Sequence, residues 1–307
     1  MKEKVPFRSG YVSIIGRPNV GKSTLLNSVL GEKVAIVTAR PQTTRNRIVG
    51  IKTLENAQIV FIDTPGIHKP RERLGEFMFG EAMGSIRDVD IVLLMIEPGP
   101  PGRTELDILG TLSKLSEKKT AGKDASTPAV FLLVNKIDRV RKQEILPVIA
   151  EFNSLFTFDE VIPVSALKGD GLDLLLQSIV KHLGQGPKYY SDDIYTDQLE
   201  RFMVSELIRE KVMTFTEEEI PYSVAVEITG WEEKKKLIII YANIYVEKES
   251  QKGIIIGKRG QMLKRIGSAS RKEIEMLLNT RVFLELRVKV KEGWRKKTSA
   301  LRELGYM

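Results

Sequence analysis

Cysteine is absent from the 307 residues. Disulfides, a thiol nucleophile and Cys-ligated zinc or iron–sulfur centres are therefore excluded. Only two histidines occur, His68 and His182, too few for a histidine-built metal site. Long apolar runs are also missing: Ile91–Ile96 spans six residues, whereas a membrane-spanning helix needs ~20. The start, MKEKVPFRSG, is basic but no apolar core follows it, so no secretory signal is read and a cytoplasmic location is expected. Hydrophobic residues make up 42% and charged residues 29% of the chain, a composition able to bury a core. The length suggests two domains.

The net charge of +8 is uneven. Residues 252–302 hold 15 Lys/Arg and 4 Asp/Glu, a net +11, directly after a net acidic stretch, 186–251. Focused positive charge attracts polyanions, either nucleic acid or anionic lipid headgroups.

Apolar runs at Tyr11–Ile15, Ile59–Ile62, Ile91–Ile96, Val130–Val134 and Val161–Val164 read as strands. They alternate with helical patterns over Val20–Leu30, Arg71–Ile86, Thr104–Leu115, Gln143–Phe156 and Leu172–Leu183. This alternation predicts an α/β fold, a doubly wound, mostly parallel sheet covered on both faces, over residues 1–185. Ser116–Pro128 reads as a mobile surface loop and 186–197 as a linker. Over 198–307 the order changes to a helix (Gln198–Val212), two strands (Tyr222–Thr229, Leu237–Val246), two helices (Ile254–Ile266, Ser268–Asn279) and a strand (Val282–Val290). That order suits a small α+β domain.

Gly16-Arg17-Pro18-Asn19-Val20-Gly21-Lys22-Ser23, with Thr24 behind it, follows a strand and opens a helix. Such a loop closes backbone N–H groups around a β-phosphate at a helix N-terminus. Lys22 would bridge β- and γ-phosphate oxygens, and Ser23 would ligate Mg²⁺. Asp63-Thr64-Pro65-Gly66 follows the next strand; Asp63 would hold Mg²⁺ through water, and Gly66 would offer its N–H to the γ-phosphate. Thr38–Arg45 is polar and poorly patterned, as expected of a segment ordered by γ-phosphate and Mg²⁺. Thr44 is the expected metal-shell threonine, with Thr43 the alternative. Asn135-Lys136-Ile137-Asp138 places a carboxylate where it accepts the N1–H and N2–H of guanine, a pairing adenine cannot satisfy. Lys136 would lie along the base. Ser165-Ala166-Leu167 would add a backbone N–H near O6. Four motifs in this order, each after a strand, identify GTP as the nucleotide and a P-loop GTPase domain as the fold. Only one phosphate loop is present, which excludes a chain with several such domains.

This nucleotide domain resembles translation-factor-related bacterial GTPases that carry a hydrophobic residue, here Ile67, where Ras-like proteins have a catalytic glutamine. The resemblance implies slow intrinsic turnover, and a K⁺ ion held through Asn19. His68 is expected to be an exposed loop residue. In the basic block, Ile254-Ile255-Ile256-Gly257-Lys258-Arg259-Gly260 carries a G-x-x-G turn. In a KH domain such a turn lets a single-stranded backbone approach closely. Lys258 and Arg259 would meet phosphates, Ile254–Ile256 would meet bases, and Lys264, Arg265, Arg271 and Lys272 extend the basic area.

Together the halves resemble the Era family of bacterial GTPases, a G domain followed by a type II KH domain. Ser250–Lys258 and the ending Leu301-Arg302-Glu303-Leu304-Gly305-Tyr306 carry the likeness. The resemblance implies binding near the 3′ end of 16S rRNA, a role in 30S small-subunit biogenesis, and peripheral association with the inner membrane; a monomer is expected. Arg259 departs from the glycine common there, and Ser116–Pro128 is longer than usual. Two other functional classes remain open: a constitutive RNA-binding module with an accessory G domain, and a membrane-surface GTPase.

Overall fold

The computed structural model describes residues 6–70, 72–120 and 127–307. The chain divides into two compact units. Met1–Ala35, Thr44–Lys69 and Met78–Asp197 form the first; Ile36–Thr43, Pro70–Phe77 and Gln198–Met307 form the second.

Along residues 1–185 the elements run β1 (Arg8–Gly16), α1 (Lys22–Leu30), β2 (Ile48–Thr53), β3 (Ala57–Asp63), α2 (Arg73–Gly84), β4 (Ile91–Ile96), α3 (Arg103–Thr120), β5 (Ala129–Val134), α4 (Lys142–Leu155), β6 (Glu160–Pro163) and α5 (Leu172–His182). The sheet order is β2-β3-β1-β4-β5-β6, parallel except for the β2–β3 pair. Strands β3 and β4 are buried throughout, which explains why they read as unbroken apolar runs rather than alternating ones. Strand β2 was not foreseen. Its sequence, IVGIKT, interrupts the apolar pattern with a glycine, and the strand exists because it pairs with β3 at the sheet edge.

The stretch 186–197, read as a linker, packs against the sheet of the first unit. Buried Gln58 accepts the N–H groups of Tyr189 and Tyr190 at 2.7 and 2.9 Å and donates to Tyr190 O at 2.9 Å. Ile51 N–H donates to Tyr195 O at 2.9 Å. Of the expected loop Ser116–Pro128, the first five residues continue α3 instead. Residues 121–126 lie outside the described residues.

The second unit carries α6 (Glu200–Phe215), α7 (Ile220–Ser223), β7 (Ala225–Lys234), β8 (Leu237–Val246), α8 (Glu249–Ile256), α9 (Gln261–Leu277), β9 (Arg281–Val290) and α10 (Thr298–Glu303). Its sheet order is β7-β8-β9, antiparallel then parallel. Two boundaries differ from the sequence reading. Ile220–Ser223 is a helical turn, and the strand starts only at Ala225. The glycine turn lies between two helices rather than inside the first, and α9 then runs unbroken through Gly267. Gly257 has φ +71°, which no α-helix accommodates, whereas a lone mid-helix glycine costs only ~1 kcal/mol. The core of this unit gathers Ile36, Val204, Ile208, Ile240, Ile244, Ile255, Ile266 and Ile274. Helix α6 grips the segment Ile36–Thr43 at both ends. Glu210 Oε1 accepts the Val37 N–H at 3.0 Å, and buried Arg209, paired with Glu206, donates to Thr43 O.

Candidate functional site

The four nucleotide motifs stand just beyond the C-terminal ends of β1, β3, β5 and β6, the edge at which open α/β sheets bind ligands. The carbonyls of the phosphate loop are engaged by side chains. Lys22 Nζ donates to Gly16 O at 3.3 Å and Arg17 O at 3.0 Å. Lys136 Nζ donates to Asn19 O at 2.7 Å, and Asn135 Nδ2 to Val20 O at 2.7 Å. A loop whose carbonyls are so occupied is left to offer its N–H groups to an anion, with the N-terminal dipole of α1 behind it. Val20 is buried, and Gly21 and Thr24 are half-buried.

Three oxygen-bearing side chains converge beside Lys22. Ser23 Oγ donates to Asp63 Oδ2 at 2.6 Å, Thr44 Oγ1 lies 2.8 Å from Ser23 Oγ, and Thr44 Oγ1 donates to Asp63 Oδ2 at 3.4 Å. Asp63 Oδ1 is buried without a hydrogen-bond partner. An all-oxygen donor set with an unfilled carboxylate oxygen fits Mg²⁺. Among the described residues no group of three or more His, Cys, Asp or Glu gathers for a metal, so substrate phosphates would complete the shell. Thr43 is turned elsewhere: its hydroxyl donates to Arg40 O at 2.6 Å and lies 2.8 Å from Thr38 Oγ1. Burial pushes the Asp63 carboxyl up to about 6, against the opposing pull of Lys22 and the hydrogen bonds of Ser23, Thr44 and Thr64. Burial pulls Lys22 down to about 8, against the Asp63 charge.

Thr64 Oγ1 donates to Ile14 O at 2.8 Å, and Pro65 and Gly66 are buried. Ile67 is buried in the core, and its N–H donates to Gly16 O at 3.0 Å. Its role here is packing. His68 is half-buried rather than solvent-exposed, because Nδ1 lies 2.9 Å from Gly66 O.

On the base side, Asn135 Oδ1 accepts the Ala166 N–H at 2.9 Å and thereby joins the β5 and β6 loops. Ile137 packs on the core, and Leu167 is 68% exposed. Exposed Asp138 accepts Ser165 Oγ at 2.6 Å, and this hydrogen bond holds its carboxyl below the ordinary range.

In the second unit Lys258 and Arg259 are exposed on the glycine turn, with Arg259 at φ +51°. A Cβ on Gly257 would stand 2.7 Å from Met262 Cβ, so the turn needs glycine there. Ile254 is 50% exposed and Ile256 half-buried. Ile255, expected to meet bases, is fully buried in the core, because the helical period of α8 rotates it inward. Arg265 is exposed, with its guanidinium 4.1 Å over the Phe215 ring. A cleft of about 690 Å³ runs from Gly260 along α9 to β9, lined by Lys264, Arg271, Lys272, Glu275 and Phe283 among others.

A family model for 50S ribosome-binding GTPases matches residues 11–136, and one for KH domains matches 219–295. The chain is 52% identical over 304 residues to GTPase Era of Geobacter metallireducens, covering 98% of each. It is 48% identical over 302 residues to GTPase Era of Ruminiclostridium cellulolyticum, again covering 98% of each. The chain belongs to the GTPase Era family. Among solved structures it is similar to Era in complex with MgGDPNP and nucleotides 1506–1542 of 16S ribosomal RNA, at 39% identity and TM-score 0.90, covering 98% of this chain and 99% of that one. A variant of Aquifex aeolicus Era bound to GDP and aluminium fluoride is also similar, at 39% identity and TM-score 0.88 with the same coverage.

Two residues that buttress this site, Glu105 and Glu97, were silent in the sequence. Glu105, buried on α3, pairs with Arg17 of the phosphate loop and accepts the Gly102 N–H at 3.2 Å. Glu97 pairs with Lys136. Neither sits in a motif. A carboxylate just past β4, as at Glu97, was the one available signal.

Proposed function

We propose that this chain is a GTP-hydrolysing switch that binds the 3′ region of 16S rRNA and acts in biogenesis of the 30S subunit. The observation that carries this reading is the likeness, over 98% of the chain, to a relative solved with both a GTP analogue and that RNA. Except for the buried Ile255, the sequence-predicted nucleotide and RNA residues take the roles assigned above, with residues 1–185 as the G domain and 198–307 as the KH domain. Ser23, Thr44 and Asp63 would hold Mg²⁺, which would supply charge neutralisation at the β- and γ-phosphates. Lys22 and the loop N–H groups orient the phosphates, and Asp138 selects guanine. Ile67 cannot orient water by hydrogen bonding, so turnover is slow. Asn19 would hold K⁺, whose charge beside the phosphates would raise that rate. Equal rates in K⁺ and Na⁺ for wild type would remove K⁺ from the scheme.

The protein acts in the cytoplasm as a monomer, and its basic block gives a weak peripheral contact with the inner membrane. Among the described residues no helix is long and apolar enough to cross a bilayer. The decisive experiment has two parts. One is a crosslinking map on cellular RNA for wild type and Gly257→Asp. The other is RNA affinity with GTP analogue, GDP and no nucleotide. A discrete rRNA crosslink lost in the variant, with nucleotide-dependent affinity, is expected. An unchanged map sends the contact elsewhere, and equal affinities reduce the chain to a constitutive RNA binder. Anionic vesicles that displace RNA would favour the lipid reading.

A further inference from the structure

Two carboxylates that belong to no nucleotide motif reach the phosphate loop, and both lie on one connection. The loop from β4 to α3 reads Glu97-Pro98-Gly99-Pro100-Pro101-Gly102 and enters α3, whose first turn carries Glu105. The prolines fix φ along this stretch and leave it little freedom. It departs beside the phosphate loop, because β1 and β4 are parallel neighbours with Gly16 opposite Met95. At its start, Glu97 Oε1 pairs with Lys136 Nζ, which also donates to Asn19 O at 2.7 Å. At its end, Glu105 Oε2 accepts the Gly102 N–H at 3.2 Å, while Oε1 pairs with Arg17 Nε. One short loop thus holds the phosphate loop at residue 17 directly and at residue 19 through a lysine.

Folding stability does not account for the first of these contacts. The Glu97 side chain is 39% exposed, and ion pairs open to water add little to stability. What the pair fixes is a strained junction. Lys136 and Asn19 both hold left-handed backbone, at φ +63° and +64°, a conformation that non-glycine residues keep where their surroundings enforce it. The hydrogen bond from the Lys136 ammonium joins the two. A charged acceptor holds an ammonium more firmly than a neutral carbonyl does, so Glu97 pins the end of the side chain expected to flank the base.

We propose that the β4–α3 loop is a bracket that holds the phosphate loop at two points and sets how fast bound guanine nucleotide leaves. Glu97 is a positioning residue that acts through Lys136, and Glu105 is one that acts through Arg17. Loosening either point frees the phosphate loop to part from the nucleotide sooner. GDP and a GTP analogue are affected alike, because both use the same β-phosphate cradle and the same base. The inference rests on the assignment of this sheet edge as the nucleotide site.

The test is release of N-methylanthraniloyl-GDP from the full chain in Mg²⁺, followed by stopped-flow fluorescence after a chase of unlabelled GDP. Glu97→Gln is expected to speed release about fivefold, with the thermal midpoint of the nucleotide-free protein held within about 2 °C. A labelled non-hydrolysable GTP analogue leaves faster by the same factor. In a Lys136→Met background Glu97→Gln adds less than about twofold, since a residue that acts through the lysine has nothing left to act on. The gap between wild type and Glu97→Gln also narrows at about 1 M NaCl, where the ion pair is screened. Glu105→Gln keeps an acceptor for the Gly102 N–H, drops the charge facing Arg17, and speeds release by about tenfold. An unchanged release rate in Glu97→Gln overturns the proposal. So does a gain that persists in full in the Lys136→Met background, which marks a general loosening of the domain. An unchanged rate in Glu105→Gln removes the second point of the bracket. Wild type that takes up no labelled GDP overturns the nucleotide assignment itself, a failure distinct from that of a variant that releases GDP at the wild-type rate.

Discussion

Ser23 Oγ donates to Asp63 Oδ2 at 2.6 Å, a hydrogen bond joining the first turn of α1 to the end of β3 across 40 positions of sequence. It holds two expected metal-site groups together around a buried carboxylate, beside a buried lysine. Their titration sets a pH window. The folded pKa of Asp63, about 6, lies above its ordinary 3.8. Its stabilising contribution is therefore full below the ordinary value and is lost as pH rises through about 6. Lys22 behaves oppositely. Its folded pKa, about 8, lies below 10.5, so folding releases a proton in between and its contribution grows as pH climbs above about 8. The pair costs the nucleotide-free protein most between about pH 6 and 8, where both groups are charged. Mg–GDP needs both charges, so its affinity peaks in that same window. Titrations from pH 5 to 9 are expected to show affinity falling below about pH 6, and Asp63→Asn should be weak throughout and lack that acid limb. An unchanged profile in the variant would assign the limb to another group.

Asp138→Asn exchanges two acceptor oxygens for one acceptor and one donor. Guanine nucleotide affinity should drop by at least ~10²-fold. Xanthosine nucleotides, which present a carbonyl where guanine has its amine, should gain. Competition binding with the two diphosphates checks this. Retained preference for guanine would show that Asp138 does not face the base.

Gly66→Ala puts a Cβ 2.6 Å from both Cα and N of Pro18. The loop after β3 and the phosphate loop then cannot both keep their places. GDP affinity should survive, because the loop N–H groups and Lys22 remain. Preference for a GTP analogue over GDP should fall by about tenfold or more, the loss of one hydrogen bond to a charged phosphate. Equal effects on both nucleotides would point to general damage to the phosphate loop.

Arg259→Gly relieves a non-glycine residue at φ +51°, a strain of about 1 kcal/mol, and removes one cation from the glycine turn. Thermal stability should rise, while RNA affinity falls and its logarithmic salt slope shrinks by about 0.7. A slope identical to wild type would mean that Arg259 touches no phosphate.

The nucleotide motifs were legible because each is a short contiguous stretch whose backbone does the work. Gly16–Ser23 forms a phosphate cradle by local geometry alone, and Asp63 and Asn135 are announced by the buried strands before them. Thr44 over Thr43 was a choice between neighbours, and only the convergence on Ser23 and Asp63 places one hydroxyl there. Ile255 misled because three adjacent isoleucines look equivalent until the phase of α8 turns one inward.

The sequence by itself determined the order of strands and helices apart from β2 and the short α7, the place of the nucleotide motifs after those strands, and the glycine turn inside a basic block. These depend on periodicity, backbone conformation and charge, which are local properties. Tertiary structure alone decided that Glu105 holds Arg17, that Gln58 anchors residues 189–190, and that Glu275 and Phe283 share a cleft. Each joins residues from separate elements, and no local propensity encodes which distant side chain will satisfy a buried charge or border a groove.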